Sequence, residues 1–356
     1  MKNKILTFIF CLIIFGFMIL NLITKNEEIS YTERRYLQKM PEISMRNLFN
    51  REISDNLEKY LTDHFILRDK FRSLKTIVNL NIFNKKDTNN LYYKDGYIFK
   101  IEYPLKENNV INFSKKINNI YNNYLSGMNV YLSIIPEKNY YLNDEYISLD
   151  CDKLIDLVIK NINSSIKYID ITDSLSLNDY YYTDIHWKQE NLEKVVNKLS
   201  VNMNFEKMTD YKKNIYKDFK GSYYGQLGLN IEQDNLTYLT NDIINNAVVK
   251  DYDSDTTTIY ELESLGKMDS YDVYLSGASP VIEITTNSES NKELIIFRDS
   301  FASSLAPLLL NGYRKITLLD IRYMNSSLIP KYIEFENQDI LFLYGTSIIN
   351  NSTILK

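Results

Sequence analysis

Two short stretches carry residue types that could perform acyl chemistry together. In the first, Leu294-Ile295-Ile296-Phe297 reads as a buried strand, Arg298-Asp299 breaks the apolar run, and Phe301 to Leu310 is helix-compatible as far as the Asn311-Gly312 stop. Pro307 should shorten or kink that helix. Ser300, at such a strand-to-helix turn, would hold its hydroxyl at the mouth of a sheet, with its own N–H pointing the same way. Helix N-termini favour developing negative charge, so the turn suits a nucleophile with an oxyanion site beside it. Taken by itself, Ser300 reads as an N-cap, the ordinary role of serine at a helix start.

The second stretch is Tyr180-Tyr181-Tyr182-Thr183-Asp184-Ile185-His186-Trp187. The chain has two histidines, and this one follows an aspartate at i−2 just before a strongly amphipathic segment. A serine nucleophile needs a base to take its proton, and the base needs a carboxylate to hold its tautomer. Asp184 and His186 could fill both roles from one short loop. A surface histidine in a polar loop is the competing reading.

With these two stretches in hand, the sequence resembles the DHHW family, relatives of the alginate O-acetyltransferases within the SGNH hydrolase superfamily. The resemblance runs from about Glu33 to the C-terminus. Thr183-Asp184-Ile185-His186-Trp187 and Arg298-Asp299-Ser300-Phe301 carry most of it. Asp63-His64-Phe65 with Arg68, Pro136-Glu137-Lys138, Tyr274-Leu275-Ser276-Gly277 and Asp320-Ile321-Arg322-Tyr323 add to it. The family motif has two adjacent histidines, and Ile185 stands in place of the first; the Asp-x-His pair is intact. Arg298 stands where many SGNH enzymes have glycine, a trait this family shares. Ser279 sits where similar proteins tend to have asparagine, which weakens an oxyanion role for that side chain.

The resemblance implies an α/β fold: a three-layer SGNH-hydrolase-like domain with a largely parallel sheet. It also implies a Ser300–His186–Asp184 triad performing double-displacement acetyl transfer to a hydroxyl of a surface polysaccharide. The acetyl donor would be a multi-spanning membrane acyltransferase. Gly277 is a further oxyanion candidate, and Arg322 and Tyr323 are pocket candidates; a salt-bridged arginine holding its loop is an equal reading for Arg322. No cofactor or metal is implied, since two isolated histidines form no recognisable ligand cluster. A carbohydrate acetylesterase would use the same triad with water as acceptor, and a non-catalytic cell-surface scaffold could keep the fold.

The elements that must position these residues follow from patterning. At 356 residues the chain has room for one large α/β domain or two small ones. The net charge is −5, and neither a basic stripe nor a glycine-rich phosphate loop points to a nucleic-acid partner. Cys11 lies in the apolar N-terminal run, so it is not expected to pair with Cys151. Ile5 to Thr24 is uncharged and about as long as a bilayer requires. Lys2 and Lys4 precede it and Glu27 and Glu28 follow, which predicts a single-pass anchor in the cell membrane with the remainder extracytoplasmic. A cleaved signal peptide competes, but no small-x-small site follows the run. The expected organisation is an anchor over 1–28, a tether over 29–44 and the SGNH-like domain over 45–356.

Phe49, Ile53, Leu57, Tyr60 and Leu61 share a helical face, as do Leu67, Phe71, Leu74 and Val78. His64 at their junction reads as structural. Asp95-Gly96 predicts a tight hairpin within 91–99. A helix over Val110 to Tyr124 stopping at Gly127, a strand over Asn129 to Ile135, a short strand over Tyr168 to Ile171 and a helix over Leu192 to Leu199 give the alternation of a parallel sheet. Asp184 and Ser300 are both expected after strands, at their C-terminal ends. Val201 to Asn291 reads as an insertion of loops and short strands, with Gly221 and Gly225 as a turn or, less simply, an anion cradle. A strand over Lys315 to Asp320, a helical piece around Leu328 to Phe335 and a last strand over Ile340 to Tyr344 complete the reading.

Overall fold

The computed structural model describes residues 2–42, 51–142 and 147–356. They divide into two compact units, 1–89 with 224–231 and 90–223 with 232–356. Residues 51–89 belong to the first unit.

In the first unit, α1 (Lys2–Ile23) is long and apolar enough to cross a membrane, and its large side chains from Ile5 to Ile23 are mostly exposed. After it, β1 (Ile29–Ser30) pairs with β2 (Arg35–Tyr36) inside the stretch expected to be a tether. Then come α2 (Arg51–Asp63) and α3 (Arg68–Ile77), as their apolar periodicity predicts; Phe49 lies outside the described residues. Arg35 binds Asp63 through both terminal nitrogens, 2.8 and 2.5 Å. His64 sits at the corner, its Nε2 3.0 Å from the Gln38 carbonyl, a structural position.

The second unit opens with the hairpin β3 (Leu91–Lys94) and β4 (Tyr97–Lys100), whose turn residues Asp95 and Gly96 both have positive φ, as the tight turn demands. Next are α4 (Glu107–Ile120), β5 (Val130–Ile135), α5 (Cys151–Asn161), β6 (Lys167–Tyr168), α6 (Glu193–Met203) and β7 (Lys212–Phe219). The turn α7 (Tyr224–Leu227) belongs to the first unit. There follow β8 (Asp234–Thr240), α8 (Asp242–Asn245), β9 (Val248–Asp251), β10 (Val281–Thr285), β11 (Glu293–Arg298), α9 (Phe301–Leu305), β12 (Lys315–Leu319), β13 (Asp339–Gly345) and α10 (Thr346–Asn350).

Seven strands form one sheet in the order β6-β5-β13-β11-β12-β10-β9. The five from β6 to β12 are mutually parallel, and β10 and β9 are antiparallel to their neighbours. Alternate side chains enter opposite cores. Leu294, Ile296, Leu341 and Leu343 face one layer with α6 and α9; Ile295, Phe297, Ile340 and Phe342 face the other with α4 and α5. Burial on both faces is why these strands read as continuous apolar runs. The result is the expected mixed α/β class with a largely parallel sheet.

Three expectations need correction. The strand expected over Tyr168 to Ile171 is regular only at Lys167–Tyr168, because the Asp170 side chain takes the Thr172 N–H at 2.9 Å and folds the chain into a turn. The region 201–291 is not only a peripheral insertion: β9 and β10 extend the central sheet, and Val249, Ile282 and Ile284 enter its core. The piece around Leu328 is a 3-10 helix, Ser326–Lys331, which contains Pro330. Pro307 has the shortening effect expected of it: α9 ends at Leu305 and continues as 3-10.

Candidate active site

Arg298 ends β11, and Asp299 turns the chain. Its Oδ1 accepts the Phe301 N–H at 3.0 Å and its Oδ2 accepts the N–H of Gly345, at the end of β13, at 2.7 Å. The turn that carries Ser300 is thus tied to the neighbouring strand. Burial raises the Asp299 carboxyl above the ordinary range, while Arg322 and the two N–H groups oppose that rise.

Ser300 sits at the start of α9 without using its side chain as a cap. Its Oγ lies 2.7 Å from His186 Nε2 instead, and His186 Nδ1 lies 2.6 Å from Asp184 Oδ1. A carboxylate accepts only, so Nδ1 carries the proton and Nε2 is left to accept from the serine hydroxyl. All three residues are held by buried structure: Asp184 is fully buried and His186 nearly so. Among the described residues the Ser300 N–H has no protein acceptor, as an oxyanion donor requires.

The Asp184 loop does not follow a regular strand as expected. It leaves β6 through two 3-10 turns and is shaped by side chains instead. Asp234 accepts the N–H of Tyr182 at 2.8 Å and, through Oδ2, the N–H and hydroxyl of Thr183 at 2.7 and 2.6 Å. The buried ammonium of Lys138 donates to the carbonyls of Tyr181, Tyr182 and Asp184 at 3.0, 3.2 and 2.8 Å. Burial pushes the Lys138 amine down to about 7, against the pull of Asp234 and Asp184. Gly221 donates its N–H to Thr183 Oγ1 at 2.8 Å, and Ser222 donates its N–H to Asp184 Oδ2 at 2.6 Å. Gly225 belongs to the first unit, where its missing side chain makes room for the Thr32 carbonyl.

Next to His186 in sequence, Trp187 pairs with Tyr180 across the loop and donates its indole N–H to Phe301 O and Ser304 Oγ. Gln189 donates to Ser304 O at 2.7 Å. The two stretches singled out in the sequence are therefore fastened to each other at Ser300, Phe301 and Ser304.

The other expected residues are placed differently. Gly277 has φ +83°, which favours glycine; its N–H turns back to Tyr274 O and its carbonyl accepts from Arg298 Nη2 at 3.3 Å. The buried Arg298 also donates to Ser303 Oγ at 2.7 Å. Arg322 makes a two-pronged pair with the fully buried Asp320, shortest at 2.6 Å, which is the loop-holding alternative. Its neighbour Tyr323 is half exposed. Ser279 donates to Asp251 at 2.5 Å. Sequence reasoning passed over Asp234 and Tyr271 and valued Lys138 only as part of a motif. A lone aspartate and one tyrosine among 30 gave it no local signal.

No protein-family model and no curated protein matches this sequence. Solved structures do. The chain is similar to a DHHW family protein from Eubacterium siraeum, with a TM-score of 0.63 and 17% identity over 76% of this chain and 97% of that one. It is also similar to Bacillus cereus PatB1, with a TM-score of 0.60 and 18% identity over 75% of this chain and 97% of that one. PatB1 bearing a sulfonyl adduct aligns with a TM-score of 0.58 and 18% identity over 73% of this chain and 97% of that one. The chain therefore has the fold of a DHHW family protein.

Proposed function

We propose that this chain is an SGNH-type serine O-acetyltransferase, held at the cell membrane by α1, that acetylates a cell-surface polysaccharide. The observation that carries the reading is the unbroken line Ser300 Oγ, His186 Nε2, His186 Nδ1, Asp184 Oδ1, at 2.7 and 2.6 Å. His186 takes the Ser300 proton as Oγ attacks the acetyl carbonyl, and the Ser300 N–H donates to the oxyanion that forms. Collapse expels the donor's oxygen, protonated by His186, and leaves acetyl-Ser300. A sugar hydroxyl, deprotonated by the same base, then attacks that ester and carries the acetyl group away. Asp184 holds the tautomer throughout. The likeness in fold to a DHHW family protein and to PatB1 supports the domain assignment, and the sequence resemblance to alginate O-acetyltransferases supplies the acetyl group and the polysaccharide. A membrane acyltransferase is the proposed acetyl donor.

The test is covalent and kinetic. A serine-directed phosphonate or sulfonyl reagent should label Ser300, and Ser300→Ala and His186→Ala should each abolish labelling. Each should lower turnover of an acetyl ester by roughly 10⁴-fold with the fold retained. Near-normal turnover by Ser300→Ala would end this reading. An oligosaccharide acceptor should divert acetyl from water to sugar. Release of acetate from an acetylated polymer, with no transfer, would make the protein an esterase.

A further inference from the structure

The imidazole of His186 is engaged at its edges by Asp184 and Ser300, and one face is covered as well. The ring of Tyr271 lies over it with centroids 3.7 Å apart and planes 5° apart, while Phe301 meets it edge-on at 5.0 Å. Tyr271 is buried within a 3-10 turn, Ser270–Val273, whose start is fixed by Asp269 Oδ1 accepting the Tyr271 N–H at 3.0 Å. Its hydroxyl donates to Ser304 Oγ at 2.9 Å. Ser304 lies on α9, four residues after Ser300, and its hydroxyl oxygen also takes the Trp187 indole N–H at 2.9 Å.

Two features of this arrangement bear on the chemistry. Histidine's second side-chain torsion is broad, and hydrogen bonds at the ring edges leave tilt about the Nδ1–Nε2 line soft. A flat ring in contact with one face removes that freedom. Further, two neutral aromatic rings prefer offset or edge-on packing to a close face-to-face stack, whereas a cation over an aromatic face is attracted by the ring quadrupole. The stack is therefore better matched to protonated His186 than to the neutral ring. It favours the state that exists only after the serine has given up its proton.

We infer that Tyr271 is a positioning residue that fixes the plane of His186, stabilises its protonated form and ties both to the helix carrying Ser300. This inference rests on the acyl-transfer reading above. Attack on any acyl group turns neutral His186 into its cation, so the effect falls on the chemical step and not on substrate binding.

The experiment uses the full-length chain in detergent, with Tyr271→Leu and Tyr271→Phe. Tyr271→Leu should lower kcat for an acetyl ester about 30-fold with KM within about twofold, while Tyr271→Phe, which keeps the aromatic face, should lose about threefold. With ¹⁵N-histidine labelling, His64 and His186 are the two residues seen; the His186 ring signals should broaden and lose their ring-current shielding in Tyr271→Leu and persist in Tyr271→Phe. If Tyr271→Leu does not fold, Tyr271→Met takes its place with the same expected values. Leucine or methionine variants with near-normal kcat and unshifted ring signals overturn the inference. A phenylalanine variant as impaired as leucine overturns it too, since then the face is not what matters. Failure of the acyl-transfer reading is seen separately, as turnover by Ser300→Ala; the ring signals report on the clamp in either case.

Discussion

The Ser222 N–H reaches Asp184 Oδ2 at 2.6 Å, while Oδ1 takes the His186 backbone N–H at 3.0 Å and lies 2.6 Å from His186 Nδ1, so the two oxygens divide their partners. An orienting carboxylate is useful only while its plane is fixed, and here a residue 38 positions later in the chain fixes it.

The first prediction follows from that division. Asp184→Asn presents either an amide N–H or a carbonyl to Nδ1 and can stabilise the tautomer with the proton on Nε2. Ester turnover should fall by roughly 10⁴-fold while the fold survives. Steady-state rates with a thermal melt check this, and a loss under tenfold counts against the orienting role.

Gly221→Ala supplies the second. A Cβ at this position would lie 2.3 Å from the Thr183 carbonyl carbon and oxygen and 2.4 Å from the Asp184 nitrogen, all backbone atoms. The Asp184 loop must shift, and misplacement of about 1 Å can cost roughly 10²-fold in rate. The variant should lose activity on that scale, measured as kcat on an acetyl ester. Unchanged kcat would mean that the loop position is not critical.

The third concerns pH. Burial, assisted by the nearby Glu102 charge, pushes the Glu137 carboxyl up to about 8, and its Oε1 has no hydrogen-bond partner among the described residues. Between its ordinary value of about 4.5 and about 8, the folded chain holds a proton that the unfolded chain has lost. Stability contributed by this group is thus complete below about 4.5 and is lost as pH rises through about 8. Glu137→Gln should match the native protein at low pH and exceed it in thermal midpoint above pH 8. Melts across pH 4 to 9 decide it; a difference that does not grow with pH would refute the assignment.

The fourth is topological. If α1 is a retained anchor with Lys2 and Lys4 on the cytoplasmic side, protease added to intact cells should remove the domain and leave the protein's N-terminus with the membrane fraction. A mature N-terminus beyond Leu22 would instead identify a cleaved signal.

Local patterning made much of this molecule legible. The Leu294–Phe297 run, the Arg298-Asp299 break and the effect of Pro307 all depend on neighbours in sequence, and the structure follows them closely. So do the Asp95-Gly96 hairpin and the helical face from Val110. What escaped depends on distant partners. The pairing of β10 with β12 and β9 joins segments whose own alternation is weak, and Asp234 acts on Thr183 from 51 residues away. Lys138 enters the sequence reading only within the Pro136-Glu137-Lys138 motif; the three carbonyls and three aromatic rings around it come from elsewhere in the chain. Asp184-x-His186 was found from residue type alone; the loop's shape, made by side chains instead of a strand, was not.

The position of β13 has a consequence in time. This late strand lies between β5 and β11, and its terminal Gly345 holds Asp299 beside Ser300. A chain that emerges from its N-terminus downward brings out His186 and Ser300 well before residues 339–345 arrive to join the two halves of the sheet. Until that insertion, β5 and β11 lie in unjoined halves of the sheet and Asp299 lacks its Gly345 partner, and long-range strand pairing of this kind forms slowly. The braced turn that carries Ser300 is therefore among the last features the growing chain acquires.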